Sequence, residues 1–202
     1  MKVLIIGFGS IGRRHYDVLC KFKLISEIKL FTKSSSIKRV NLTKIKEIKE
    51  YDPDYIVISN ETNLHYKFVN FIEKNFSKKI VLVEKPLFHK FINYSVKKNK
   101  FYLGYNLRFH PIIQKIKKFL IRKKTWSVNI VAGSYLPDWK KNKNYKKSYN
   151  AKNIGGGALL DLSHELDYLT WIFGNLKPIY SFKKKLSNLK INSNDYVNIF
   201  LN

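Results

Sequence analysis

Cysteine is nearly absent from this chain, because Cys20 is the single one among its 202 residues. One cysteine excludes an internal disulfide framework and a zinc site built on cysteines. The 5 histidines include no pair at close ligand spacing, so we expect no metal site. Long apolar runs are also missing, and the short apolar stretch after Met1 leads directly into a glycine turn, unlike a signal peptide. These absences predict a cytoplasmic protein that does not enter a membrane.

Acidic residues are scarce as well, with 14 Asp+Glu against 39 Lys+Arg and a formal net charge of +25. A charge of this size is compatible with binding to nucleic-acid phosphates. Specific recognition favours arginine, however, and arginines are few here, while the lysines are spread along the whole chain. We therefore interpret the charge as a lysine-rich surface and expect no specific nucleic-acid partner. Hydrophobic residues make up 45% of the chain, which is typical of a globular protein.

Strands and helices alternate in residues 1–104. The short apolar runs predict strands, and residues at helical spacing predict helices between them. This alternation indicates a Rossmann-type, doubly wound parallel sheet. The predicted strands are Val3–Ile6, Ile28–Phe31, Tyr55–Ser59 and Ile80–Val83, and the predicted helices are Ile11–Phe22 and Asn63–Phe76.

The pattern changes in residues 105–202, where longer strands predominate. We expect a second, α+β domain with an open, mostly antiparallel sheet, which would be incomplete because the chain ends inside a strand. The predicted strands are Trp126–Tyr135, Ile179–Lys183 and Tyr196–Leu201. The predicted helices are Pro111–Ile121 and Gly157–Phe173, with a polar loop at Leu136–Asn153 between them.

A G-x-G-x-x-G motif directly follows the first strand and opens the first helix. In this context the motif is typical of a dinucleotide-binding turn. Gly7 permits the tight turn, Gly9 lets the backbone approach a pyrophosphate, and Gly12 lets the helix pack on the strand. The N–H groups at the start of the helix face the anion. The motif consists of Gly7, Phe8, Gly9, Ser10, Ile11 and Gly12.

The second predicted strand ends with Thr32, Lys33 and Ser34, where an NAD-binding unit would carry an acid for the ribose hydroxyls. Without that acid nothing repels a 2′-phosphate, and a lysine with two hydroxyls could bind it. The pattern therefore favours NADP over NAD. The alternative interpretation is a solvated loop.

Two further turns follow predicted strands at the edge of the sheet where ligands bind. In one turn, Pro86 favours an extended backbone at Lys85, whose amino group could move a proton beside a charged cofactor. Glu84 precedes it. In the other turn, His65 could line a cofactor cleft or stabilise local structure, and Asn60 and Thr62 stand beside it.

The helix predicted at Gly157–Phe173 carries two different faces. Leucines and Phe173 form one apolar stripe, which we expect to face the core: Leu159, Leu162, Leu166, Leu169 and Phe173. The other side carries His164 between Asp161 and Asp167. Carboxylates three residues away on either side can fix the tautomer of the histidine and raise its basicity, which suits a general acid and base. A structural histidine is the alternative.

Together these segments resemble the Gfo/Idh/MocA oxidoreductases, the family of glucose–fructose oxidoreductase and inositol dehydrogenase. The matching segments, in order, are GFGSIGRRH, NETNLH, VEKPL, GYNLRFHP and GGGALLDLSHELDYLTWIFG. The resemblance implies an NAD(P)-binding Rossmann domain over 1–104 and a substrate or oligomerisation domain over 105–202. It also implies that sheet faces of the second domain pair two copies in a homo-oligomer.

The resemblance further implies roles for single residues. Lys85 would contact the reacting hydroxyl and relay its proton, and His164 would be the general acid and base. Asn106 and Arg108 would shape the nicotinamide end of the cleft. Many family members place an aspartate four residues before the histidine, whereas this chain has Asp161 three before it, so the partner of His164 is either Asp161 or Asp167.

Our leading hypothesis is an NAD(P)-dependent oxidoreductase that transfers a hydride between the nicotinamide and a sugar-like or cyclitol carbon. A lysine-rich segment, residues 140–147, could hold a phosphate or carboxylate of that small-molecule substrate, and the alternative interpretation is a solvated surface loop. The alternative is a truncated, non-catalytic dinucleotide-binding protein, because family members continue beyond the point where this chain ends.

Overall fold

The computed structural model describes residues 1–33, 41–139 and 144–202. The chain divides into two units, Met1–Gly104 and Tyr105–Asn202. Among the described residues no helix is both long and apolar enough to span a membrane.

The first unit is built on a six-stranded parallel sheet. Its elements are β1 (Lys2–Ile6), α1 (Ser10–Leu19), β2 (Glu27–Phe31), β3 (Asn41–Leu42), α2 (Ile45–Tyr51), β4 (Tyr55–Ile58), α3 (Thr62–Asn75), β5 (Ile80–Val83) and β6 (Lys100–Leu103). The strand order is β3-β2-β1-β4-β5-β6, and every neighbouring pair is parallel. This order reverses between β1 and β4, and it confirms the doubly wound sheet predicted from the alternation of strands and helices.

The central strand β1 is buried on both faces, which explains why its sequence is a continuous apolar run. Leu4 and Ile6 pack with α2 and α3 on one face, whereas Val3 and Ile5 pack with α1 on the other. The apolar area that these strands remove from water stabilises the fold by about 25 cal/mol per Å². The two faces therefore belong to one doubly covered sheet.

Helix α3 holds the long connection between β5 and β6 through the carboxylate of Glu73. One carboxylate oxygen accepts hydrogen bonds from the backbone N–H groups of Lys97 (2.6 Å) and Lys98 (2.7 Å). The other oxygen accepts a bond from the amide of Asn99 at 3.0 Å. Burial would raise the pKa of Glu73, but the hydrogen bonds together outweigh it and hold that pKa below its ordinary value.

In the second unit, residues 105–139 and 144–202 form three α-helices and one two-stranded antiparallel sheet. The helices are α4 (Pro111–Leu120), α5 (Ala158–Asp161) and α6 (His164–Phe173), and the strands are β7 (Pro178–Lys184) and β8 (Tyr196–Leu201). Short 3₁₀ turns occupy parts of the predicted loop, at Leu136–Trp139, Tyr145–Lys147 and Tyr149–Ala151. The antiparallel pairing of β7 with β8 confirms the sheet type expected of this unit.

Two predictions for the second unit are wrong. Trp126–Tyr135 is not a strand: Trp126 and Val131 are 85% and 88% exposed, and among the described residues no strand pairs with this segment. Alternating residues form a strand only where a neighbour completes the ladder. The predicted helix Gly157–Phe173 is interrupted, because Leu162 (φ −102°, ψ 28°) ends α5 before α6 begins. Its apolar stripe is accordingly only half-buried.

We predict that Glu73→Gln destabilises the chain at pH 7 by about 1–3 kcal/mol, since the amide cannot accept all three hydrogen bonds. The folded pKa of Glu73 is lowered, so the carboxylate contributes its stability above its unfolded pKa of about 4.3 and loses it as pH falls through the folded pKa. Urea unfolding at pH 7 and at pH 4 checks this, and the difference between variant and unmodified chain shrinks at pH 4. Glu50→Gln, an exposed glutamate on α2, is the matched control. An equal loss of stability in both variants would contradict the assignment.

Candidate functional site

The glycine turn between β1 and α1 leaves no space for side chains at two of its three glycines. Gly7 has φ +89°, and a Cβ there would lie 2.5 Å from the backbone of Asn60. A Cβ on Gly12 would overlap the carbonyl oxygen of Gly7 and lie 2.9 Å from Ser59 Oγ. Gly9 differs, because no atom of the residues that the structure describes lies within 4 Å of its Cβ position. The turn therefore packs tightly against the protein at Gly7 and Gly12, and it leaves free space at Gly9.

The open side of the turn is the start of α1. The helix begins at Ser10, its first turn carries no acidic residue, and Gly9 at its N-cap supplies no side chain. Ser10 and Ile11 are exposed, whereas Phe8 is buried against Tyr16. Backbone N–H groups at a helix start favour an anion electrostatically. The start of α1 is thus exposed at Ser10 and Ile11, and Phe8 anchors the turn from the inside.

Asn60 follows β4 at the same edge of the sheet and carries an amide without hydrogen-bond partners among the described residues. Both its Nδ2 and its Oδ1 are buried. A buried polar atom that makes no hydrogen bond costs about 1–3 kcal/mol, so such an amide fits a ligand that supplies a donor and an acceptor. The open glycine turn and this amide together fit a dinucleotide.

The end of β2 is held by an amide from the neighbouring strand. Asn41 on β3 accepts a hydrogen bond from the Thr32 N–H at 3.2 Å and donates one to the Thr32 carbonyl at 3.1 Å. This pair continues the sheet ladder by one residue and fixes the backbone from which Lys33 projects into solvent. Ser34 lies outside the described residues.

The turn after β5 carries Glu84 and Lys85. Glu84 Oε1 lies 2.7 Å from His15 Nε2 on α1, and its carboxylate group also lies beside Gly104. Lys85 is half-buried, and the Lys85–Pro86 peptide bond is cis. Glu84 thus connects the helix that begins at the glycine turn with the segment that carries the lysine.

His65 and Thr62 are buried in the first turns of α3. The Nδ1 atom of His65 lies 3.1 Å from the Pro86 carbonyl oxygen and 3.2 Å from that of Leu87, while Nε2 lies 3.1 Å from the Asn60 carbonyl oxygen. Burial lowers the pKa of His65, against the opposing effect of these hydrogen bonds. His65 therefore contacts both turns from inside the protein.

In the second unit, Asp161 closes the triple-glycine turn. Its Oδ1 accepts a hydrogen bond from the Asn150 amide at 2.7 Å, and its Oδ2 accepts one from the Gly157 N–H at 3.1 Å. Asn150 is itself buried, and a Cβ on Gly156 would lie 2.5 Å from its carbonyl oxygen. The carboxylate of Asp161 thereby fixes the start of α5.

His164 is the first residue of α6 and contacts an aromatic ring from the preceding segment. The rings of Tyr105 and His164 meet edge to face with centroids 5.6 Å apart. The Tyr105 hydroxyl donates a weak hydrogen bond to Ser163 Oγ at 3.4 Å, and burial raises the pKa of Tyr105. Tyr105 thus bounds one side of the histidine.

Asp167 is paired with Arg108. The Nε of Arg108 donates to Oδ2 at 2.8 Å and Nη2 donates to Oδ1 at 2.5 Å, in a bidentate pair. The Asp167 side chain is 7% exposed, and its hydrogen bonds raise the pKa of Arg108. Asn106 is exposed in the short 3₁₀ turn before Arg108. The two acids that flank His164 in sequence therefore have different neighbours, a turn amide for Asp161 and a guanidinium for Asp167.

Sequence reasoning missed several residues around these positions. His15 and Tyr105 stand inside the quoted motifs, in GFGSIGRRH and GYNLRFHP, but nothing in their spacing indicates their partners Glu84 and His164. Asn41 gives no signal at all. Among the described residues there is also no cluster of three side chains that could hold a metal ion.

Comparison of the sequence with protein-family models and with curated proteins found no match. Solved structures with the same fold are numerous. The WlbA dehydrogenase of Bordetella pertussis, in complex with NADH and UDP-GlcNAcA, has a TM-score of 0.77 at 13% identity, covering 99% of this chain and 66% of that one. A protein described as an NADPH-dependent oxidoreductase, from Desulfitobacterium hafniense, has a TM-score of 0.74 at 16% identity over 99% of this chain and 62% of that one.

An oxidoreductase of Thermotoga maritima has a TM-score of 0.73 at 19% identity, covering 100% of this chain and 68% of that one. These are oxidoreductases of the Gfo/Idh/MocA type, so the chain shares the fold of that family, as its motifs indicated. It spans 66% of the WlbA chain and 62% of the Desulfitobacterium chain.

We predict that alanine substitutions at Gly7 and Gly12 lower the free energy of unfolding, whereas the substitution at Gly9 does not. Gly12→Ala destabilises the chain by about 1–3 kcal/mol because its Cβ would overlap the Gly7 carbonyl. In Gly7→Ala the new Cβ would overlap the Asn60 backbone, and the alanine would also have to adopt the unfavourable positive φ of this position. Gly9→Ala leaves the free energy of unfolding unchanged within about 0.5 kcal/mol, since its Cβ meets nothing. Thermal and urea unfolding of the three variants measure this. A loss at Gly9 equal to that at Gly12 would show that the turn is closed on all sides.

Proposed function

We propose that this chain is an NAD(P)-dependent oxidoreductase acting on a hydroxyl or keto carbon of a sugar-like substrate. The observation that supports this most directly is the pairing of an open Gly9 with the buried amide of Asn60, at the sheet edge where the strand order reverses. Ligands of doubly wound sheets bind at this position. The shared fold with dehydrogenases and reductases that use NADH or NADPH agrees with it.

The residues of the first unit would hold the dinucleotide. The backbone at Gly7, Gly9 and Gly12, with the N–H groups of Ser10 and Ile11, would bind the pyrophosphate, while Phe8 keeps the turn anchored. Asn60 would hydrogen-bond the ligand through its amide, with Thr62, His65 and Glu84 supporting the two turns beside it. When bound, a nicotinamide dinucleotide supplies a hydride donor or acceptor.

The cofactor that we propose is NADP. Thr32 and Lys33 stand where a ribose-binding acid would be, and Lys33 is exposed, so its ammonium can pair with a 2′-phosphate. Ser34 would add a hydroxyl to the same group.

Lys85 and His164 would handle the substrate proton. The Lys85 amino group would exchange a proton with the reacting hydroxyl, and the imidazole of His164 would act as general acid and base. Asp161 and Asp167 would hold the two ends of the helical region around His164, Asp161 through the glycine turn and Asp167 through Arg108. Asn106 and Arg108 would shape the nicotinamide end of the cleft.

The substrate that we propose carries a negative charge. WlbA of Bordetella pertussis is described in complex with UDP-GlcNAcA, which contains phosphates and a carboxylate. The lysine-rich residues 140–147 would pair with such groups, although residues 140–143 lie outside the described residues. A nucleotide-linked sugar acid is therefore the first substrate to assay.

We also propose that the β7–β8 sheet pairs two copies of the chain. Tyr180, Phe182 and Phe200 are exposed on it, and aromatic side chains of this kind are enriched at interfaces.

We predict that the chain binds NADPH more tightly than NADH, measured by fluorescence titration of each reduced cofactor. Gly9→Ala weakens binding of both by roughly tenfold or more, since a methyl group at the open glycine displaces the pyrophosphate from one or two backbone N–H groups. Unchanged affinity in Gly9→Ala would contradict the assignment of this turn. Equal affinity for NADH and NADPH would contradict the NADP preference only.

We predict that Lys85→Ala and His164→Ala each lower turnover of a nucleotide-linked sugar acid by about 10²–10⁴-fold while cofactor affinity is kept, since each removes a proton-transfer group. Absorbance of the reduced cofactor at steady state measures turnover. Lys90→Ala is the control, an exposed lysine in the same connection. Normal turnover in both variants would make the role assignment wrong. Cofactor binding without turnover on a panel of sugars would favour the non-catalytic alternative.

A further inference from the structure

The turn that carries Lys85 lies just beyond the last hydrogen bond of its strand ladder. The ladder between β4 and β5 ends where the Glu84 N–H donates to the Ile58 carbonyl at 2.9 Å. Past that point, two carbonyl groups, those of Pro86 and Leu87, converge on one side chain from α3. That side chain is His65, which is 1% exposed.

The chemistry of the imidazole decides what this contact does. A neutral histidine has one N–H, and two carbonyl oxygens surround Nδ1 while one faces Nε2. A proton on Nδ1 therefore bonds the buried Pro86 carbonyl and the partly buried Leu87 carbonyl, whereas a proton on Nε2 bonds only the partly buried Asn60 carbonyl. Leaving buried carbonyl groups without a donor is costly, which favours the Nδ1–H form.

We infer that His65 is a positioning residue for Lys85, whose Nδ1–H fastens the Pro86 and Leu87 carbonyls to α3 and so fixes the turn that carries the lysine. This inference rests on the proposed role of Lys85 in proton transfer. His65 acts without touching substrate, because it is buried beneath both turns. In this tautomer Nε2 carries no proton and cannot donate to the Asn60 carbonyl, so the inferred support concerns the turn of Lys85 alone.

Two amide variants distinguish the contribution of Nδ1 from that of Nε2. In His65→Asn the side-chain nitrogen can occupy the Nδ1 position, and in His65→Gln it can occupy the Nε2 position. His65→Leu removes every donor. Val69→Ala is the matched control, because Val69 lies one turn further along α3, is 2% exposed and contacts neither turn through a hydrogen bond.

Hydrogen–deuterium exchange of peptides covering residues 84–88 tests the inference without any need for activity. We expect exchange there to rise by about threefold to tenfold in His65→Leu and His65→Gln, relative to Val69→Ala, since a buried hydrogen bond is lost. We expect His65→Asn to restore slow exchange. If His65→Leu does not fold, the comparison of the two amide variants decides alone. The inference would be overturned if peptides covering residues 84–88 exchanged equally fast in His65→Asn and His65→Gln. It would also be overturned if exchange did not increase in either His65→Gln or His65→Leu.

Turnover and cofactor binding connect this support to the proposed reaction. We expect His65→Gln to lower kcat for the sugar-acid substrate by about tenfold with KM little changed, because the lysine is misplaced and not removed. We expect His65→Asn to recover kcat. Absence of cofactor binding in the unmodified chain would defeat the proposed function while leaving the exchange result valid. If exchange is slow in His65→Asn and fast in His65→Gln but kcat is the same in both variants, the role of His65 in positioning Lys85 is overturned.

Discussion

The close approach of Gly7 to Asn60 is the constraint on which the first unit depends. No Cβ fits between the turn after β1 and the backbone after β4, and these are the neighbouring strands between which the order of the sheet reverses. This contact brings the turn that leads into α1 against Asn60. Ser59 strengthens it, because its hydroxyl donates to the Gly7 carbonyl at 2.9 Å. The edge at which we propose that the ligand binds is thus shaped by two backbone segments in direct contact.

In the first unit the ends of strands position the candidate residues, whereas in the second unit charged side chains position them. Asp161 accepts hydrogen bonds from the turn before it and Asp167 pairs with Arg108, so the chain is held three residues before and three residues after His164. A bidentate guanidinium pair with one nearly buried partner is more geometrically specific than an exposed ion pair. Tyr105 then limits the orientation of the imidazole ring. Precision at His164 therefore depends on pairs formed between distant parts of the sequence.

The parts predicted from sequence are those in which local pattern and environment agree. The apolar run of β1 and the glycine spacing each report a local requirement, so the sheet and its turn were predictable. Trp126–Tyr135 alternates like a strand but has no partner strand among the described residues. Strand β6 went unpredicted because it begins with Lys100 and has an apolar run of only three residues. The pairs His15 with Glu84 and Arg108 with Asp167 join residues far apart in the chain. No spacing rule records such contacts, which only the folded backbone creates.

Helix α3 sets the distance between the two ends of the connection from β5 to β6, which begins near Lys85. His65 binds the carbonyl groups near its beginning, and Glu73 binds the N–H groups of Lys97 and Lys98 near its end. The two side chains are eight residues apart on one helix, a rise of about 12 Å. Both ends of the connection are therefore fixed by the helix, and between them the Tyr94 hydroxyl donates a hydrogen bond to Asn70 on the same helix at 3.3 Å. Insertions next to the exposed Lys90 and Phe91 are accordingly the changes that would alter this part of the surface while leaving the lysine and the edge strand in place.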